Sequence, residues 1–503
     1  MAFPTVAPDP FFNRTAELTA LERAWRQRGA GGQMALLYGR RRLGKTYLLQ
    51  RFFAGSATEP PKDHCYYLAE QTTAVAHRRA LATQLLETLS DPGIQAEELA
   101  VSWNALLRHV SAHCRERSEE QGRFGLILDE FPYLVAQSPE LPSVLQSWWD
   151  REGLHSRVYV ILCGSQLSAM AALGQESAPL YGRFNAGIML LDPLQYEEVA
   201  AFYADSPHYG LAETLLLYGI LGGTPRYHAL VDTSRPLAEE VVALLFAPRG
   251  VLENEVRFLL SSEQIRDPAP YNAVLEAVAS GETQFGGIQQ KTGTERGVLS
   301  FHLKTLLDLG WLRREFPFGE TGERRALYQV ADPFLAFWYR FVAPLASALQ
   351  FSQPQRVFAE RVAPFLADYM GWNVFEAICH QWLQRHAQER WGLTIRRMGR
   401  YWSRDGRIEV DVLAELDDGT FLLGECKWSA NATVGLSVYA GLKAKIQSLP
   451  EAKWRNNAVC VLFAVGGFAS ELRTLAAQPE ERLYLVEGHD LLFTRTEIKK
   501  LPD

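Results

Sequence analysis

One stretch, Gly39-Arg40-Arg41-Arg42-Leu43-Gly44-Lys45-Thr46, constrains this chain more than any other. It fits the spacing G-x-x-x-x-G-K-[ST], and its flanks fit as well. Met34–Tyr38 reads as a short buried strand and Thr46–Phe53 as a helix. A strand that passes into a helix through a glycine-rich loop begins a parallel α/β layer. The glycines let the backbone close around a phosphate with its N–H groups turned inward, and the helix N-terminus adds positive partial charge. Lys45 is then placed to reach the β- and γ-phosphates of a nucleotide and Thr46 to offer a hydroxyl to Mg²⁺. The expected cofactors are ATP and Mg²⁺, with Gly39, Arg42 and Gly44 completing the cradle.

Such a loop needs a second half, and the chain carries one. Phe124–Asp129 is an apolar strand ending in a carboxylate suited to hold Mg²⁺ through water. Glu130 follows it as the candidate general base for the attacking water. A third apolar strand, Val158–Gly164, ends at Ser165 and Gln166. Either could sense the γ-phosphate, or the pair could be a polar strand-end turn. Arg183 reads as an arginine finger toward a neighbouring subunit or as an ordinary surface arginine.

At 503 residues the chain exceeds one ordinary core, and strands alternate with helices along it. Four parts are predicted: an ATPase core over 1–193, a helical subdomain over 194–265, a winged helix over 266–332 and an α/β domain with leading helices over 333–503. The six cysteines form no C-x-x-C pair and read as buried reduced thiols. No secretory leader and no transmembrane segment is visible, so a cytoplasmic location without a membrane partner is expected. The net charge of -7 argues against a globally basic nucleic-acid coat but leaves room for a local basic groove.

Within 266–332, three helices precede two short strands, Trp311–Phe316 and Ala326–Val330, which is the order of a winged helix. Glu295–Leu309 is the candidate recognition helix, with Arg296, Ser300, His302 and Lys304 as its polar residues. Arg313, Arg314, Arg324 and Arg325 flank the wing. Arginines there suit phosphate or minor-groove contact, although a winged helix also serves protein contacts alone.

The last part holds a second constellation. Ile408–Leu416 and Phe421–Trp428 flank the turn Asp417-Asp418-Gly419 and read as a hairpin. Asp411 lies on its first strand; Glu425 and Lys427, two apart on the second, share a face. Two carboxylates and an amine at one sheet edge suit Mg²⁺ or Mn²⁺ and a phosphodiester, with the lysine stabilising developing charge. Glu376, on the preceding helix, is a further candidate ligand. The bland alternative is a solvated hairpin with incidental charges.

Together these residues resemble the archaeal-type ATPase family, a branch of the STAND and AAA+ P-loop NTPases found in archaea and bacteria. Phe11–Leu18 is similar to its opening F-x-[ND]-R-x-x-E-L. Leu37–Thr46 resembles its extended Walker A, Leu128–Leu134 its Walker B, Cys163-Gly164-Ser165 its sensor strand and Gly222-Gly223-Thr224-Pro225 its G-G-x-P element. Asp411, Glu425 and Lys427 match the D…[DE]-x-K pattern of PD-(D/E)XK nucleases, with Glu376 as the helix glutamate. Val410 replaces the eponymous proline. The resemblance implies a P-loop NTPase parallel sheet with a helical subdomain, a winged helix and a C-terminal restriction-endonuclease-like α/β domain. It also implies ATP hydrolysis and, by fold analogy, cleavage of DNA, with self-association as a possibility. A STAND-like switch, or a DNA-binding regulator with a non-cleaving nuclease fold, remain the alternatives.

Overall fold

The computed structural model describes residues 13–492 except 28, 30, 56–59, 92, 119, 263, 264, 266, 321, 323, 324 and 431. Phe11 and Phe12 of the opening motif, and Arg324 at the wing, lie outside the described residues. The chain forms two compact units with a boundary between Pro193 and Leu194.

The first unit is built on a five-stranded parallel sheet in the order β2-β3-β4-β1-β5. The strands are β1 (Gln33–Tyr38), β2 (His64–Leu68), β3 (Phe124–Asp129), β4 (Val158–Gly164) and β5 (Gly187–Leu190). Along β1, Met34 and Leu36 enter one core while Ala35 and Leu37 enter another. The sheet is therefore buried on both faces, which is why β1, β3 and β4 read as unbroken apolar runs. The short edge strand β5 escapes the sequence reading because its residues alternate between half-buried and exposed. Helix α1 (Thr15–Arg26) packs against α2 (Lys45–Ala54), which follows β1. Because the sheet is parallel, the polar ends of β1, β3 and β4 meet at one edge, where α/β folds place ligands.

The second unit opens with helices. The Gly222-Gly223 pair there is sterically required. Gly222 has φ 67°, and a Cβ on Gly223 would lie 1.9 Å from the Leu194 carbonyl oxygen. Next come α3 (Ala269–Ala279), α4 (Phe285–Thr292) and α5 (Arg296–Asp308), followed by the hairpin of β6 (Leu312–Glu315) and β7 (Leu327–Val330). This is the element order expected of a winged helix. His302 does not join the polar face of α5. It is buried, with its ring 4.7 Å from that of Tyr271.

Further helices lead to α6 (Glu376–Trp391), which continues from a π-helical turn at Met370–Phe375. A second five-stranded sheet has the order β12-β11-β10-β9-β8. Its strands are β8 (Ile395–Trp402), β9 (Glu409–Leu416), β10 (Phe421–Lys427), β11 (Val459–Ala464) and β12 (Leu483–Glu487), with α7 (Leu436–Gln447) between β10 and β11. The β9–β10 pair is the hairpin expected around Asp417-Asp418-Gly419, and β10 to β12 run parallel. Strand β8 is hidden in the sequence by its run Arg396-Arg397-Met398-Gly399-Arg400.

One apolar core runs from Leu194 to Leu491, through the opening helices, α3, α5, α6 and the sheet. The loop of the β6–β7 hairpin is fixed to the sheet as well. Phe318 is buried against Phe421 and Trp454, and its N–H donates to the Arg400 carbonyl at 2.7 Å. All six cysteines are buried and unpaired. Among the described residues no helix is long and apolar enough to cross a membrane.

Candidate functional site

At the nucleotide loop the backbone departs from ordinary conformations where the motif requires it. Gly44 and Arg42 both have positive φ, 89° and 69°. Lys45 is buried at the start of α2, and its ammonium donates to the carbonyls of Gly39 (2.7 Å) and Arg40 (3.0 Å). Burial lowers its pKa, against the pull of nearby acidic groups that include Glu130 and Asp129. Thr46 Oγ1 donates to Asp129 Oδ2 at 2.9 Å, so the two expected Mg²⁺ partners are already adjacent. That adjacency, in a cradle of backbone N–H groups, fits a Mg²⁺-nucleotide.

Glu130 sits in the left-handed region at φ 52°, an unusual conformation for a residue with a Cβ and one that collects at functional sites. Its carboxylate accepts from Ser165 Oγ at 2.9 Å and from Ser165 N–H at 3.3 Å. Ser165 therefore faces the candidate base, and Arg41 donates to both Ser165 Oγ (3.4 Å) and Tyr133 OH (3.0 Å). Arg14, from the opening motif, reaches the Leu43 carbonyl at 3.3 Å while paired with Glu17. Arg183 is held by Asp150, at 2.9 and 2.7 Å, and by two backbone carbonyls.

Sequence reasoning missed Tyr66. Its hydroxyl donates to Asp129 Oδ2 at 2.7 Å from within β2. The only signal in the sequence was an aromatic pair, Tyr66-Tyr67, in a strand bordering β3.

In the second sheet, Val412 pairs with Gly424, so Asp411 and Glu425 stand opposite each other one step further along. Both are buried. Asp411 Oδ2 accepts from the Cys426 N–H at 2.8 Å. Burial, and then the charge of Glu425, lifts the Asp411 carboxyl to about 6. Two buried carboxylates that repel in this way are a pair that a divalent cation relieves, and their oxygen donors fit Mg²⁺ or Mn²⁺. Lys427 donates to Glu425 Oε1 at 2.7 Å. Burial lowers the pKa of its ammonium, but the hydrogen bond and charge of Glu425 outweigh this and leave it raised.

A second lysine, absent from the sequence reading, shares that carboxylate. Lys445 on α7 lies 2.6 Å from Glu425 Oε2 and 2.9 Å from Oε1. Glu376 is placed differently from the expectation of a third metal ligand. Arg400 Nε stands 2.7 Å from its Oε2, out of line for a hydrogen bond. Arg400 also pairs with Glu315 at 3.2 Å and with Glu409. Burial pushes Glu376 up to about 8 despite that guanidinium. Among the described residues, Glu376, Asp411 and Glu425 do not bring three carboxylate oxygens within 4.8 Å of one another.

On the hairpin, Arg313 is bound to Gln329, and Arg325 pairs with Glu320 and with the Trp402 carbonyl. The expected wing arginines are thus partly committed within the protein.

Two stretches of the chain match known families. Residues 11–231 match a family described as an ATPase domain predominantly from Archaea. Residues 338–437 match one described as archaeal and bacterial proteins of unknown function. An uncharacterized protein of Methanocaldococcus jannaschii is 26% identical over 423 residues, covering 83% of this chain and 87% of its own length. An uncharacterized ATP-binding protein of the same organism is 50% identical over 42 residues, 8% of this chain and 68% of its own. Among solved structures, a Walker-type ATPase of Pyrococcus abyssi aligns with a TM-score of 0.47 at 20% identity, over 67% of this chain and 99% of that one. Residues 11–231 are thus similar to an ATPase domain of archaeal type, and residues 338–437 to a second family.

Proposed function

We propose that this chain hydrolyses ATP with Mg²⁺ and couples its nucleotide state to a metal-dependent phosphodiesterase acting on DNA, in repair, mobile-element biology or defence. The observation that carries the second half is the buried Asp411–Glu425 pair, with two ammonium groups on Glu425. At the nucleotide site, Lys45 exchanges its loop carbonyls for the β- and γ-phosphates, and Thr46 and Asp129 hold Mg²⁺. Glu130, oriented by Ser165, takes the proton of the attacking water. At the C-terminal site Asp411 and Glu425 hold the metal and Lys427 stabilises charge developing on the phosphate. The bound ion supplies Lewis acidity and a nucleophilic water at neutral pH.

A second reading, an ATP-controlled switch or DNA-binding regulator with a non-cleaving nuclease fold, is favoured by one observation. Both oxygens of Glu425 face lysines, and Glu376 is held by Arg400. The deciding experiment is cleavage of circular and linear DNA by purified protein with Mg²⁺ or Mn²⁺, with and without ATP, beside Lys427→Ala and Lys45→Ala. Cutting by wild type but not by Lys427→Ala establishes the phosphodiesterase, and the Lys45→Ala lane tells whether nucleotide licenses or restrains it. No cutting in any nucleotide state, with ATP turnover that depends on Lys45, moves the switch reading ahead.

A further inference from the structure

We infer that the cleft between α5, the β6–β7 hairpin and the turn at residues 402–406 binds a single strand of nucleic acid and not a duplex. The inference rests on the reading above only for its choice of a nucleic acid. Its own basis is the composition of the cleft and the position of its two walls.

The cleft encloses about 1060 Å³. One wall is a stripe of α5, in which Arg296, Ser300 and Lys304 recur every fourth residue and are all exposed. The stripe runs for about 12 Å at the helical rise per residue. The facing wall is the end of β8 and the turn after it, which contribute Trp402 and Arg404. Arg325 is occupied by Glu320, and Arg296, Lys304 and Arg404 stand against Asp308 and Asp405. Three cations against two carboxylates leave the cleft net positive, on a chain whose net charge is -7. Phe285, Tyr328 and Trp402 interleave with the cations, and Arg296 already lies over the Phe285 ring at 5.8 Å. Basic walls with aromatic faces between them are what single strands need, because unpaired bases stack while the backbone tracks the charge.

Duplex recognition by α5 would require the helix to lie in a major groove about 12 Å wide, with a phosphate strand on either side. Here its polar stripe looks across the cleft at another part of the same unit. That second wall is fixed. The hairpin loop is anchored by buried Phe318 and its 2.7 Å bond to the Arg400 carbonyl, and Arg325 ties the hairpin to the Trp402 carbonyl.

The test is fluorescence anisotropy of the full chain with short labelled single-stranded DNA, single-stranded RNA and duplex DNA, in EDTA and without nucleotide. Single strands are expected to bind at least about ten-fold tighter than duplex. Lys304→Glu with Arg404→Glu, one exposed position on each wall, should weaken single-strand binding by about ten-fold or more. It should also flatten the slope of log K against log salt by about 1.4, roughly 0.7 per lost phosphate contact. Trp402→Ala should cost about ten-fold without changing that slope. Wild-type urea midpoints, followed by tryptophan fluorescence, report that the variants are folded. Duplex binding as tight as single-strand binding, or wild-type affinity in the double charge reversal, overturns the inference. Lys427→Ala should bind like wild type, and wild type that binds single strands but cuts no DNA in any nucleotide state would sink only the phosphodiesterase reading. Cleavage with duplex-preferred binding would sink only this one.

Discussion

Replacing His228 with glutamine should flatten the acid side of the stability profile. The ring is 2% exposed, with Nε2 at 2.7 Å from the Gly222 carbonyl and Nδ1 at 2.6 Å from the Tyr203 hydroxyl. A carbonyl only accepts, so Nε2 carries the proton and Nδ1 accepts from the tyrosine; the neutral ring is fully satisfied. Burial holds its pKa down from 6.5 to about 4. Between those two values the unfolded chain binds a proton that the folded chain refuses. The contribution is complete above pH 6.5 and is lost as the pH falls toward 4. A gap of about 2.5 pH units at 1.36 kcal/mol each amounts to about 3 kcal/mol, of which about 2 kcal/mol is gone by pH 5. Urea unfolding followed by tryptophan fluorescence at pH 7.5 and pH 5 reads this directly. Wild type should lose about 2 kcal/mol more than His228→Gln over that interval. Parallel pH profiles for the two proteins would refute the assignment of a buried neutral imidazole.

Three other perturbations have defined outcomes. Tyr66→Phe removes a donor from Asp129, and support of this kind typically matters about 10- to 100-fold in metal affinity. Half-saturation of ATP turnover by Mg²⁺ should rise accordingly, and an unchanged value argues that Asp129 does not need the tyrosine. Arg400→Met takes its partner from buried Glu376 and should cost about 1–3 kcal/mol in urea unfolding. Adding Glu376→Gln should restore part of that, and strict additivity of the two changes would show that they do not interact. Gly223→Ala forces a Cβ against the Leu194 carbonyl oxygen and should cost about 1–3 kcal/mol. A wild-type urea midpoint would mean that the segment relaxes freely.

Much of both sites was legible because the chemistry is local in sequence. The loop from Gly39 to Thr46 is one uninterrupted motif between a strand and a helix, and nothing distant has to be known to read it. Glu425 and Lys427 follow from period two, and the Asp417-Asp418-Gly419 turn brings Asp411 opposite Glu425. What escaped depends on partners far along the chain. Lys445 approaches Glu425 from a helix 20 residues away and reads by itself as a solvated lysine. Glu376 reads as a free ligand until Arg400 is seen beside it, and Arg400 lies on the strand whose charges concealed it. His302 belongs to the polar residues of α5 by composition, but its position on the helix turns it toward Tyr271. The hairpin arginines read as a free wing because no sequence pattern announces that Phe318 is anchored in another sheet.

The unbroken core from Leu194 to Leu491 has a consequence for how this half of the protein can be taken apart. Segments that share interior side chains melt together, so the helix-and-hairpin segment and the carboxylate-bearing sheet are one cooperative block. Excising either would leave tryptophan and phenylalanine faces in water. A protease that nicks the block opens all of it, and recombination that exchanges one piece must carry the other along. Packing thus runs without a break from α5 to the strand that carries Asp411.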